Sequence, residues 1–427
     1  MPAHDTTLGG LMADGRNIRM NVAERSHTSG EGTRPGRAAG AQVLVLAPRD
    51  QPTKRSPRPL GAGPKWLMVL GAGVGLVILL LASLQAAPPL PPPIVVVSTP
   101  YWNIDHGTST VLANRPDVSE VSPWMYALDA DGDIVNQYGP EQAGSMTTSL
   151  AALRRSGLRI VPTVANVSDG DFSYQPIARI LHDPELTTKH IAAIVALVEQ
   201  QNYPGIDIDY ENLHSGDRQV FTDFVTQLAE ALHAHGRTLS VTLFAKATDA
   251  GYDQRNVAQD YAAIGKAADE VRLMGYDYHW ASSAPGPIAP VDWIRDVLNY
   301  AKSQISPLKI VLGIPMYGYD WVGKKGTPVA WLQAFRLANQ YHATMRFDLA
   351  SQTPWFEYTD PKGQVHHVWF ENAASATAKL DVAQGSGIGG VYLWLYGYED
   401  TDVWSALHQT FPVQLPQPAP SSVRGSS

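Results

Sequence analysis

From Ile94 to Tyr396 the chain repeats one alternation, a short apolar run followed by a longer stretch of helical periodicity. "IVVVSTPYW", "RIVPTVANV", "PGIDIDYE", "TLSVTLFAK", "VRLMGYDYHW", "KIVLGIPMYG" and "GIGGVYLWLY" read as strands. The clearest helix runs from Asp217 to His235. There Val220, Phe221, Phe224, Val225, Leu228 and Leu232 form one apolar stripe, and Gly236 stops the helix. "TTKHIAAIVALVEQQ" is another. Alternation sustained over such a length predicts an α/β fold with a parallel sheet, and about eight repeats close it into a (β/α)8 TIM barrel. One segment breaks the rhythm. "ATMRFDLASQTPWFEYTDPKGQVHHVWFENA" carries two alternating runs around "TDPKG", a hairpin signal. It is assigned to a small α+β insertion at about 320–375, before the last barrel strand.

The barrel accounts for residues 94–411. Residues 1–64 are rich in Gly, Arg, Pro, Ala, Ser and Thr without any period, which reads as a disordered basic segment. Trp66 to Ala86 then holds no charge, and at 1.5 Å per residue such a helix spans a hydrocarbon core of roughly 30 Å. A transmembrane helix is expected at 65–86. The first 65 residues hold ten Lys/Arg against five Asp/Glu, net +5, which leaves −13 for the rest of a chain of net charge −8. The positive-inside bias places the N-terminus in the cytoplasm and the barrel outside it, periplasmic or at the cell surface, as a single-pass membrane protein. A cleaved signal peptide is the competing reading, but its basic region would be long, and Leu84 and Gln85 fit a small-x-small cleavage site poorly. "APPLPPP" at 87–93 is a stiff spacer, and 412–427 an unstructured tail. An acidic body argues against nucleic acid as partner. The absence of cysteine excludes disulfides, thiolate metal sites and Cys nucleophiles.

The chemistry concentrates in "YPGIDIDYEN", Tyr203 to Asn212. Side chains of a strand alternate between faces, so Asp207, Asp209 and Glu211 share one face while Ile206, Ile208 and Tyr210 share the other. Three carboxylates in one buried column cost several kcal/mol unless something uses them. In a barrel the chemistry sits at the carboxyl ends of the strands, so Glu211 should project into the mouth with Asp209 beneath it and Asp207 deeper. Stacked carboxylates raise one another's pKa, which suits an acid that must hold a proton for a leaving oxygen. An acidic edge strand would not carry isoleucines so evenly on its other face, and a Ca²⁺ loop would carry Gly and Asn.

"GIDIDYE" resembles the strand-four signature of glycoside hydrolase family 18, the chitinase family: Asp-Gly-x-Asp-x-Asp-x-Glu. "LMGYDYHW" matches the family's Met-x-Tyr-Asp on strand six through Met274, Tyr276 and Asp277. "GIPMYGYDW", with Tyr317, resembles its strand-seven Gly-x-Pro-x-Tyr-Gly, and Trp394 its final-strand tryptophan. The resemblance implies a retaining mechanism in which the substrate's own 2-acetamido group is the nucleophile. It further implies Glu211 as general acid/base, Asp209 orienting the acetamido group, Asp207 supporting Asp209, and Tyr276 and Asp277 binding that group. Trp394 would floor the sugar subsite, with Tyr101 and Tyr126 as further subsite aromatics. "PGPIAPVDW" and the run to "GGVYLW" look like the spore-germination or cortex-lytic branch, which acts on peptidoglycan. Two departures stand out. Pro204 occupies the signature's first Asp position, and Asp207 is kept where that branch often has Asn.

The expected partner is therefore an N-acetylglucosamine-containing polysaccharide, either chitin oligomers or peptidoglycan. A lectin that binds such sugars without cutting them, and an envelope docking platform, are the alternatives. No metal or cofactor is implied, because no Gly-rich phosphate loop or His cluster at ligand spacing occurs. His214 and His279 are expected near the mouth as subsite or supporting residues.

Overall fold

A computed structural model describes residues 91–168, 170–394 and 398–413. The expected transmembrane helix at 65–86, the basic segment before it, the spacer up to residue 90 and the tail from 414 lie outside the described residues. Among the described residues no helix is long and apolar enough to cross a membrane.

Eight strands form a closed parallel barrel: β1 Ile94–Pro100, β2 Glu120–Leu128, β3 Thr163–Ala165, β4 Gly205–Asp209, β5 Thr238–Phe244, β6 Glu270–Met274, β7 Ile310–Pro315 and β8 Gly390–Trp394. Each pairs in parallel with the next, and β1 closes the ring by pairing with both β2 and β8. The crossovers are helical, as parallel neighbours require. Ile206, Ile208, Val241, Leu243 and Leu273 point outward and are fully buried with the helix stripe of Phe221, Phe224, Leu228 and Leu232. That stripe belongs to the helix Arg218–Ala234, one residue inside the expected ends, and Gly236 follows it at φ +67. Its predecessor, Pro184–Gln201, starts three residues before "TTKHIAAIVALVEQQ", because the Asp183 carboxylate accepts from the backbone N–H groups of Glu185 and Leu186.

Two local departures from the sequence reading affect the site. "RIVPTVANV" is not one strand. Pro162 cannot donate to the ladder, so pairing stops at Ile160 and resumes at Thr163. Between β2 and β3 a register shift at Trp124/Tyr126 marks a bulge. Before it Glu120, Ser122 and Trp124 face the lumen; after it Tyr126 faces away.

The insertion between β7 and β8 is a five-stranded antiparallel sheet in the spatial order Lys325–Ala330, Tyr317–Val322, Val365–Phe370, Thr353–Thr359, Arg346–Asp348. The hairpin around "TDPKG" is its centre. Asp360 accepts from the backbone N–H groups of Lys362 and Gln364, and Gly363 takes φ +80. The helix Trp331–Gln340 covers one face over Phe356, Tyr358, Val368 and Phe370. The opposite face turns Tyr317, Tyr319 and Trp321 toward the barrel mouth.

Barrel closure leaves no room at Gly390, where a Cβ would drive into the carbonyl of Ile94. Gly390→Ala is expected to destabilise the fold by about 1–3 kcal/mol. A urea unfolding curve with an unchanged midpoint would contradict that.

Candidate active site

β4 delivers the acidic column as its alternation requires. Asp207 and Asp209 point into the lumen, 1% and 6% exposed. The strand ends at Asp209, and Glu211 stands two residues beyond, half-buried at the mouth. Asn166, just past β3, fixes that extension. Its amide accepts from the Glu211 N–H at 2.8 Å and donates to the Glu211 carbonyl at 2.8 Å. Between them Tyr210 turns outward, and its hydroxyl meets His190 at 2.6 Å. Pro204 falls with Ile206 and Ile208 by alternation, outside the inward row, and its carbonyl accepts from the N–H of Thr238.

The deep end of the column is well bonded. Asp207 accepts from Thr163 Oγ1 and Thr242 Oγ1, both at 3.0 Å, and the Arg272 guanidinium lies 3.8 Å away. Arg272, 2% exposed on β6, also donates to Glu120 at 2.5 Å, Ser122 at 2.8 Å and Glu270 at 3.3 Å. Even so, burial and the charge of Glu270 outweigh Arg272 and Arg159 at Glu120, whose pKa is pushed up to about 7.

The upper end is the opposite. Asp209 accepts one long bond, 3.4 Å from the Trp124 indole N–H, and its Oδ1 is buried without a partner among the described residues. Burial first, then the charges of Glu211 and Asp207, hold its carboxyl well above the usual range. Glu211 is raised to about 7 by burial, with Asp277 adding to the rise and Arg255 opposing it. Asp277 is raised to about 6 by burial, although hydroxyls of Tyr317 at 2.6 Å and Tyr319 at 3.2 Å donate to it. Its backbone sits at φ +57, the left-handed region.

Aromatic rings close the mouth. Trp394, at the end of β8, lies parallel to Tyr276 (6.4 Å between centroids, 10°) and edge-on to Trp124 (6.0 Å, 74°). The Tyr276 hydroxyl meets that of Tyr392 at 2.5 Å, beside Trp394 on β8. Met274 ends β6 just below, 8% exposed. Tyr101 packs at the rim against the cluster of Trp124, Ala127, Ala165 and Val167. Thus Glu211, Asp209, Asp207, Tyr276, Asp277, Met274, Trp394 and Tyr317 converge, with Tyr101 at the edge.

Tyr126 does not reach the mouth. Its hydroxyl bonds that of Tyr203 at 3.1 Å, and it lines a separate hollow with Tyr138, Arg154 and Gln200, outside the barrel. The β2 aromatic at the site is Trp124. Its alternation with Glu120 and Ser122 was available in "EVSPWMYAL", but the bulge that turns Tyr126 away was not. Tyr319 shares the face of Tyr317 two residues on, a spacing that could have identified it. His214 stacks on Tyr174 at 3.8 Å in the loop after β4, and His279 Nδ1 lies 2.9 Å from the Ala284 carbonyl. Among the described residues no group of three or more acidic or His side chains is arranged to hold a metal ion.

The closed parallel barrel thus gathers buried carboxyls of raised pKa and a cluster of aromatic rings at its carboxyl mouth. The chain belongs to the glycosyl hydrolases family 18, whose family model matches residues 102–399. It is 32% identical over 274 residues to the cortical fragment-lytic enzyme of Bacillus anthracis, covering 62% of this chain and 64% of that relative. The chain therefore spans less than two thirds of that relative's length. By structure it is similar to a chitinase from Chromobacterium violaceum (TM-score 0.70, 28% identity, 75% of this chain and 100% of that one). It is also similar to the Bacillus cereus spore cortex-lytic enzyme SleL (TM-score 0.68, 27% identity, 75% of each chain).

Arg272 bonds Glu120 and Ser122 and lies 3.8 Å from Asp207, whereas the other cation on Glu120, Arg159 at 3.2 Å, is half-exposed, so Arg272→Met removes the buried charge that faces these carboxyls. A loss of about 3–5 kcal/mol is expected at neutral pH. The loss should shrink as pH falls, because Glu120, already raised to about 7, takes up a proton. An equal loss at pH 5 and pH 8 would contradict the account.

Proposed function

We propose that the barrel hydrolyses β-1,4 linkages next to N-acetylglucosamine, in chitin oligomers or peptidoglycan, with retention of configuration. The observation that carries this reading is the inward column, with Asp209 buried beneath Glu211 and its Oδ1 unpartnered among the described residues, its carboxyl raised by burial and by its acidic neighbours, and Glu211 raised to about 7. A carboxyl so placed can bond the N–H of the acetamido group and turn its oxygen toward the anomeric carbon.

In the proposed sequence the sugar lies on Trp394, its 2-acetamido group between Asp209, Tyr276 and Asp277. Glu211 gives its proton to the glycosidic oxygen as the bond to the anomeric carbon breaks, and the acetamido oxygen forms the new bond to that carbon. Water then attacks the same carbon, its proton returns to Glu211, and the acetamide is restored. Asp207, held by Thr163 and Thr242, fixes the carboxylate below Asp209. We also propose that residues 65–86 anchor the chain in the membrane, with the N-terminus cytoplasmic and the barrel extracytoplasmic. The uncharged run and its basic flank support this. Release of the full chain from membranes by a salt wash would contradict the anchor.

Glu211→Gln is expected to lower kcat by about 10²–10⁴-fold on chitooligosaccharides or peptidoglycan while binding persists. A parent protein that binds these glycans and cleaves neither would leave the lectin reading in its place. For pH dependence, Glu211 is active when protonated and its pKa is raised. Its kcat/KM should therefore be retained below about 7 and fall as pH rises through that value. Because Arg255 pulls the pKa of Glu211 down, Arg255→Met should move this alkaline limb to higher pH.

A further inference from the structure

A hollow of about 920 Å³ lies outside the barrel, and none of the converging catalytic residues lines it. Its walls come from the helices Pro140–Arg155 and Pro184–Gln201 and from the strand Ile134–Asn136, which pairs with the end of β2. Ile134, Leu150 and Leu197 make these walls apolar, and Ala193 and Ala196, on one face of their helix, keep the space open.

The polar groups gathered here are donors. The bulge in β2 turns Tyr126 out to the hollow, and Tyr203 meets it there, hydroxyl to hydroxyl at 3.1 Å. The two residues are 6% and 1% exposed. Burial raises both hydroxyls above their usual range, so both stay neutral O–H groups. One of the two protons makes the bond between them. The other has no acceptor among the described residues, and an O–H buried without a partner is costly. Arg154 stands over the Tyr203 ring, 5.6 Å from its centroid, at an exposed position. One of its N–H groups reaches the Gln201 carbonyl at 3.2 Å, and among the described residues no carboxylate pairs with it. Asp133, the carboxylate among the lining residues, is already paired with Lys189 at 2.9 Å.

A spare hydroxyl proton and a guanidinium beside it are satisfied together by one anion that accepts more than one bond, and a carboxylate is such a group. Arg154 is the one cation among the lining residues, which matches the single charge of a carboxylate better than the double charge of a phosphate. The walls suit an apolar body behind that head, and the volume admits a small molecule. The geometry points to a second binding site, for a small organic acid with one carboxylate and an apolar body. The carboxylate accepts from Arg154 and from the spare hydroxyl of the Tyr126–Tyr203 pair, and the body lies between Leu150 and Leu197. The site does not rest on the glycosidase reading, because none of its residues takes part in the proposed hydrolysis.

The test is calorimetric titration of the full chain with 3-phenylpropionate, beside the uncharged 3-phenylpropanamide and acetate. The parent should bind one 3-phenylpropionate per chain, about tenfold more tightly than the amide, and acetate, which lacks the apolar body, about thirtyfold more weakly. Arg154→Gln should weaken 3-phenylpropionate about tenfold and leave the amide within about twofold, a split that a merely structural role for Arg154 would not produce. Tyr126→Phe combined with Tyr203→Phe removes both hydroxyls and should weaken 3-phenylpropionate about fivefold. Ala196→Trp fills the hollow from an exposed position and should abolish binding of acid and amide alike. Thermal unfolding shows whether each variant is folded, and the two variants at exposed positions, Arg154→Gln and Ala196→Trp, decide the case if the double variant is not. A parent that does not bind 3-phenylpropionate overturns the site. So does a Kd for it that survives both Arg154→Gln and Ala196→Trp in folded chains, and either result leaves the glycosidase reading standing.

Discussion

The site depends on a buried cation. Lumens of parallel barrels are ordinarily filled by branched apolar side chains. Here the lumen holds Glu120, Ser122, Thr163, Asp207, Ser240 and Thr242, all buried, and Arg272 lies among them. Burying that many acids would be costly without an opposing charge, since a lone carboxylate loses far more hydration than packing returns. Arg272 bonds to Glu120 and Ser122 on β2 and to Glu270 on β6, and it reaches toward Asp207 on β4. The same side chain therefore ties opposite walls of the barrel together and makes its polar interior tolerable.

Its reach is also limited, and that limit shapes the chemistry. Among the described residues the guanidinium meets the column only at Asp207, 3.8 Å away, and no cation is bonded to Asp209 one layer up. Charge compensation thus falls along the column from the barrel floor to the mouth. At Asp209 burial and the charges of Glu211 and Asp207 push the carboxyl well above its usual range. Glu211, higher still and flanked by Asp277 on one side and Arg255 on the other, settles near neutrality. The three carboxyls therefore sit in different surroundings, set by their distance from one guanidinium and by their burial.

Much of this was legible in the sequence because it depends on periodicity. The two-residue period of "GIDIDYE" separates acids from isoleucines whatever else the chain does, and the helix stripe from Val220 to Leu232 needs only its own spacing. The parts that were not legible depend on partners remote in sequence. Arg272 reads as an ordinary strand residue until β2, 150 residues away, brings Ser122 to it. Tyr126 was misplaced because a bulge is a relation between two strands, and nothing within β2 announces it. Pro162 was visible, but its effect, splitting one apparent strand into two, depends on where the neighbouring ladders pair. Trp355 and Trp369 read as hairpin residues, and only the strand pairing shows that they continue a row begun at Tyr319.

The insertion is part of the active centre rather than an ornament on its rim, and Asp277 is the reason. A side chain other than Gly at φ +57 costs on the order of 1–3 kcal/mol and persists only where its surroundings fix it. Here the fixing comes from the hydroxyls of Tyr317 and Tyr319, both on the first strand of the insertion, while Asp277 itself follows β6. β6 supplies the carboxyl, the insertion holds it in a strained backbone position, and its charge in turn raises the pKa of Glu211 across the mouth. A barrel without that antiparallel sheet would still close, since β7 pairs directly with β8. It would lack both hydroxyls that hold Asp277 in place, and with them the fixed charge that helps Glu211 keep its proton.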